Sequence, residues 1–279
     1  MNLKFVVNDY ILIWNLLFQA SPSEMIYKLK QKLWINYQGE YNKLYQDKEL
    51  ILKDAANFIP NDDTIYNIVL ESKEYEKVKK ATERYRIDLL KLWDASSKKI
   101  NKYLPEILKI DFEKYTIMVV DEKLDVLDTT SLNEEKDRTI ILGKQIDKKD
   151  PNKLVLELLF DIVKKEIKTY SEKDQMIADA IIEMAIYNEL LTRVTTNSSY
   201  FKGRQNLTYI KRQIYPYWLM YLGIKIEELQ KYMLRDKVSF DLEKYPYEKA
   251  LIKMTIKEFI DFCIKNKKHM IKEEQLELI

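Results

Sequence analysis

The residues of this chain whose types and spacing could do chemistry are four carboxylates on two neighbouring helical stretches. Glu157 and Asp161 stand four apart in "NKLVLELLFDIVKKEI" (152–167), and Asp179 and Glu183 stand four apart in "KDQMIADAIIEMAIYNELLTRV" (173–194). Side chains four apart share one face of a helix. If the two faces meet, four carboxylates converge, and a hard cation such as Mg²⁺ or Mn²⁺ suits them better than zinc. Asp161, Asp179 and Glu183 would then be the metal ligands of a carboxylate-bound hydrolase. The simpler reading, which is preferred, is salt bridging to Lys164, Lys165 or Arg193. Asp179, Glu183 and Glu189 lie in an otherwise apolar stretch, and carboxylates in such surroundings need partners.

Several other chemistries are excluded. His269, the single histidine, sits in the lysine-rich "KNKKHM" and reads as a solvated residue, so a His-dependent triad or a multi-histidine metal site has nothing to build on. The 4 glycines are isolated, which rules out a dinucleotide fingerprint and a P-loop. One cysteine makes neither an internal disulfide nor a structural zinc site. Cys263 follows Ile256, Phe259 and Ile260 at helical spacing and reads as a buried thiol. Lys+Arg count 47 against 45 Asp+Glu, so no global charge draws the chain to nucleic acid or to acidic lipid. Residues 73–102 hold ten basic residues against five acidic ones, which reads as a solvated helix face.

The stretch 152–167 also resembles the zincin metallopeptidases, in their glutamate-zincin branch. There a strand precedes a helix carrying His-Glu-x-x-His, and the next helix supplies a glutamate ligand. Two imidazoles at i and i+4 bind one zinc, and the glutamate activates the metal-bound water. Here "RTIILGKQID" takes the place of the strand and "DPNKLVLELLFDIVKKEI" that of the helix. Aligning Glu157 with the general base puts Leu156 and Phe160 at the two histidine positions. Glu183, 23 positions beyond Phe160, takes the third-ligand position, with Glu189 as second choice and Tyr187 four residues after Glu183. The resemblance covers about residues 115–195 and implies a zincin-like fold that has lost its metal. On that basis no cofactor, no bound metal and no catalysis are expected. Glu157, Glu183, Leu156 and Phe160 become remnants of a site, and the former cleft becomes a surface for a peptide or protein partner or a structural element. The competing readings are an ordinary core helix and a helical protein- or nucleic-acid-interaction module that uses residues 73–102; nucleic acid itself is not expected.

The elements that must position these residues follow from periodicity. Asn8 or Asp9 caps a helix through Phe18, and "SPSE" at residues 21–24 starts another. "NFIPNDDT" breaks the chain at 57–64, and a long helix runs from about Ser72 toward Tyr103, with Pro105 as a stop or kink. "YTIMVVDE" and "RTIILGKQID" are strands, with room for a third between them. Helices follow over 151–168, 173–195, 205–233 with an interruption at Pro216, and 255–268. Tyr215, Tyr217, Trp218 and Tyr221 read as core, with a cleft lining as the alternative. The expected fold is α+β and predominantly α-helical, with a small β-sheet near 115–145 followed by a helical half. The domains are 1–110, helical, and 111–279, zincin-like, or one continuous domain. The apolar run 10–18 is too short for a membrane helix and lacks a small cleavage-site residue. These features predict a cytoplasmic protein without a membrane partner, and the richness in Ile, Lys, Asn and Tyr suggests a bacterial source.

Overall fold

The computed structural model describes residues 1–19, 23–128, 138–167, 170–195, 203–225, 228 and 248–271. The fold is α+β and predominantly helical, with one four-stranded sheet in the order β1-β2-β4-β3. The strands are β1 (Asn2–Val6), β2 (Lys114–Val119), β3 (Val126–Asp128) and β4 (Thr139–Gly143). β1 pairs parallel to β2, with Leu3 opposite Tyr115, and β2 pairs parallel to β4, with Ile117 opposite Ile140. β3 closes the other edge antiparallel, with Leu127 opposite Leu142. All five residues of β4 are buried, which is why it reads as an unbroken apolar run rather than an alternation. β1 is not anticipated by the reading of the first third as helical. Its Leu3 and Phe5 alternate with exposed residues, as on an edge strand.

Contacts divide the chain into two compact units, Met1–Ala95 with Phe112–Leu158, and Ser96–Asp111 with Leu159–Ile279. The first contains the sheet, α1 (Asp9–Phe18), α2 (Glu24–Asn36), α3 (Gln38–Lys53) and α4 (Thr64–Leu70). Asn8 caps α1 by accepting from the Ile11 amide, as its position before the apolar run predicts. Ile11, Leu12, Leu16 and Leu17 share one core with Leu33, Leu44, Tyr66 and Val69, with Met118 and Ile141 of the sheet, and with Val120 just after β2.

α5 (Lys73–Leu108) contributes residues to both units. It runs past Pro105 to Leu108, where Lys109 turns out with φ of 53°. Pro105 falls in the last turn, where it costs a single ladder bond and does not stop the helix.

The second unit holds α7 (Glu172–Glu183), a π-helical segment (Met184–Leu190) and α8 (Leu191–Val194) in direct succession, then α9 (Thr208–Tyr221). It also holds the short α10 (Glu248–Leu251), α11 (Ile256–Lys265) and α12 (Lys267–Met270). The expected interruption at Pro216 does not occur. Pro216 is buried inside α9, which instead ends at Tyr221, two residues before Gly223, whose φ of +93° reverses the chain. Of the helix expected to 233, residues 222–225 are not helical, and 226–227 and 229–233 lie outside the described residues. Trp218, Tyr221 and Phe259 stack in the core, with Tyr221 and Phe259 centroids 4.7 Å apart, and the Tyr221 hydroxyl donates to the Ile107 carbonyl at 2.7 Å. Tyr217, Trp218 and Tyr221 are therefore core residues. Cys263 is buried on α11, which opens with a Thr255–Glu258 capping box, and burial pushes the thiol pKa up. His269 is exposed, as its lysine neighbours predict. No helix among the described residues is long and apolar enough to cross a membrane.

Candidate functional site

The site is built on α6 (Asn152–Glu166) and α7. α6 follows Asp150–Pro151, buries Leu154, Leu158, Leu159, Ile162 and Val163, and ends on Lys164 and Lys165, where positive charge suits the carbonyl end of the helix. Leu156 is buried and Phe160 half-buried, one turn apart on this helix. Glu157 between them forms an ion pair with Lys144 at 2.7 Å, and Lys153 stands 4.0 Å away. Lys144 is the residue directly after β4, so the strand end and the helix are tied at Glu157.

α7 presents Asp179 and Glu183, both buried, as the sequence requires of residues set among Ile177, Ala180, Ile181 and Ile182. The partners predicted for them are partly those found. Asp179 accepts from Lys164 at 3.1 Å, from Gln175 at 2.7 Å and from Arg204 Nη2 at 2.7 Å. Glu183 takes Arg204 Nε at 2.8 Å, the Arg204 backbone N–H at 3.1 Å, and the ammonium of Lys211. Glu189 pairs with Arg193 at 3.8 Å and accepts from Trp218 Nε1 at 3.5 Å. Phe160 faces the same centre. Its ring stacks on Tyr187 with centroids 6.0 Å apart, and the Arg204 guanidinium lies 5.5 Å from its centroid.

The electrostatics are those of a closed cluster. Burial acts against the Arg204 charge, but the bonds to Glu183 and Asp179 outweigh it and hold the guanidinium pKa up. At Lys211 burial dominates and lowers the pKa, although Glu183 favours the ammonium. Gly203 permits this packing. Its φ of +107° suits glycine, and a Cβ there would run into the Glu183 carboxylate and come within 3.1 Å of Lys211 Nζ. Among the described residues no group of three or more His, Cys, Asp or Glu side chains is placed to hold a metal ion. The convergence of four carboxylates is thus replaced by cation pairing. Glu157 goes to lysines, Asp179 and Glu183 go to Lys164, Arg204 and Lys211, and Asp161 is half-buried.

Sequence reasoning missed Arg204, Lys211 and Gly203. Lys211 carried a signal: Leu207, Lys211, Ile214 and Trp218 share one helical face and all are buried. Arg204 carried none, because it reaches the site from outside any periodic element. The π-helical segment that begins directly after Glu183 also left no trace in the apolar pattern.

Comparison of the chain with protein-family models, with curated proteins and with solved structures returns no match.

Proposed function

We propose that the chain is a non-catalytic, zincin-like protein, a pseudo-metallopeptidase whose former active-site cleft serves binding of a peptide or protein partner, or structure. Arg204 carries the proposal. Its guanidinium lies over Phe160 and bonds to Glu183. The residue at the second histidine position and the residue at the third-ligand position therefore face one positive charge. In the family that the sequence resembles, the corresponding charge is a zinc ion. The element order β4, α6, α7 agrees with the same reading.

The residues do not fit zinc as they stand. Leu156 and Phe160 have no lone pairs, and both Glu183 oxygens are engaged, Oε1 by Arg204 and Oε2 by Lys211. Glu157 is paired to Lys144, and Leu156 and Phe160 beside it offer no ligand atoms, so no catalytic step is assigned to it. A single buried thiol accords with a reducing, cytoplasmic setting.

The test has two arms. Elemental analysis of the purified protein should find no stoichiometric zinc, and chelators should change no peptidase activity. The variant Leu156→His/Phe160→His/Arg204→Ala should gain zinc-dependent thermal stability, because helical spacing places both imidazoles and loss of Arg204 frees Glu183 Oε1. Leu156→His costs roughly 2–5 kcal/mol by the large-to-small comparison and the change at half-buried Phe160 less, and zinc should return part of that. Stoichiometric zinc with chelator-sensitive proteolysis in the natural protein would overturn the reading. So would a folded triple variant indifferent to zinc.

A further inference from the structure

A second site lies in the first unit, beyond the carboxyl ends of the adjacent parallel strands β2 and β4. There a cavity of about 640 Å³ opens between α5 and the segments that follow the two strands. Its size is that of a small-molecule site, and the ends of parallel strands are where open sheets bind ligands. Gly143 brings the two strand ends close, since a Cβ on it would stand 2.6 Å from the Asp121 carbonyl oxygen.

The lining is specific in its chemistry. Arg84 on α5 and Lys148 after β4 both border the cavity, and no carboxylate among the described residues pairs with either. Asp88, which also borders it, is taken by Lys91 at 3.3 Å. Glu122 is the acid left over, on the short turn after β2. Tyr85 is a fixed wall. Its hydroxyl donates to the Lys144 carbonyl at 2.5 Å and accepts from the Lys144 amide at 3.2 Å.

An adjoining hollow of about 160 Å³ shares Ala81, Tyr85 and Glu122 with this cavity and is lined by Thr82. Thr82 is 1% exposed, and its hydroxyl has no hydrogen-bond partner among the described residues. A buried hydroxyl left unpaired costs free energy until something bonds to it.

We propose that this cavity binds a phosphomonoester of mononucleotide size. A phosphomonoester carries about −1.5 to −2 charge near neutral pH, which matches Arg84 and Lys148, two cations that no carboxylate among the described residues neutralises. A guanidinium is suited to two parallel bonds with phosphate oxygens. Glu122 accepts from a sugar hydroxyl or a base amino group of the same ligand, which inorganic phosphate lacks, and Thr82 bonds the part that enters the hollow. The proposal is independent of the zincin-like reading, which concerns other residues.

The experiment is calorimetric titration of the full chain with AMP, adenosine and inorganic phosphate. AMP should bind saturably with a Kd below about 1 mM, and adenosine at least roughly tenfold more weakly. Inorganic phosphate should compete with AMP. Arg84→Gln/Lys148→Gln should weaken AMP at least roughly tenfold without changing the melting temperature, since both side chains are exposed. Glu122→Gln should weaken AMP but not inorganic phosphate. Thr82→Val should raise the stability of the free protein and lower AMP affinity, opposite signs that a purely structural threonine would not give. Absence of saturable AMP binding overturns the proposal, as does equal affinity for adenosine, or AMP affinity unaltered by the double substitution.

Discussion

Lys211 sits fully buried with its ammonium against Glu183, and Glu183 is in turn held by Arg204. Taking both charges out of water is expensive, and their attraction returns that cost only while both are present. Lys211→Met should therefore destabilise by about 3 kcal/mol, the low end for breaking a buried pair, because Arg204 remains on the carboxylate. Lys211→Met/Glu183→Met should cost clearly less than the two single changes added together. Urea denaturation of the four proteins gives the coupling, and a value under about 0.5 kcal/mol would show that the residues do not act as a pair. The carboxylates of this cluster were legible in the sequence, since acids in an apolar helix demand partners. Which cations answered was legible only in part. Lys164 was foreseen because it lies on the neighbouring helix, but Arg204 arrives from a segment whose path no local pattern encodes.

Elements differ in the same way according to how local their causes are. β2 and β4 declare themselves through Ile117, Val119, Ile140 and Ile141, because β-branched runs bounded by charged turns fit little else. β1 depends on a parallel partner whose first paired residue, Lys114, is more than a hundred positions away, and five residues beside a strong helix start do not reveal that. The π-helical segment is subtler still. Met184–Leu190 carries the same apolar texture as an α-helix, yet its wider turn leaves Asn188 fully buried, with neither amide atom hydrogen-bonded among the described residues. An unpaired buried amide is a standing cost of about 1–3 kcal/mol, and an apolar side chain of similar shape avoids it. Asn188→Leu should raise the stability measured by thermal or urea unfolding by an amount in that range. A loss instead would mean that a buried water satisfies the amide and that the leucine has displaced it.

At the scale of the whole molecule, composition places a break near residue 110, where helical sequence gives way to strands, but the cores follow a different division. α1–α4 share one apolar cluster with Met118, Val120, Leu124, Val126 and Ile141, all of which lie beyond that break. β1, at the extreme amino end, has β2 as its neighbour. A chain ending at residue 110 would thus lack Met118, Val120, Leu124, Val126 and Ile141 from the cluster that holds Ile11, Leu16 and Tyr66, and would leave β1 with an unpaired ladder. A chain ending at 158 keeps every residue of that unit. Calorimetry and near-ultraviolet circular dichroism on the two fragments should separate them. Residues 1–158 should unfold in a cooperative transition, whereas 1–110 should show helical signal without one, because helices of this length draw their stability from the packing of their apolar faces. A fragment 1–110 that melts cooperatively and keeps its near-ultraviolet signal would show that α1–α5 form a core without the sheet, and that the composition break is also the structural one.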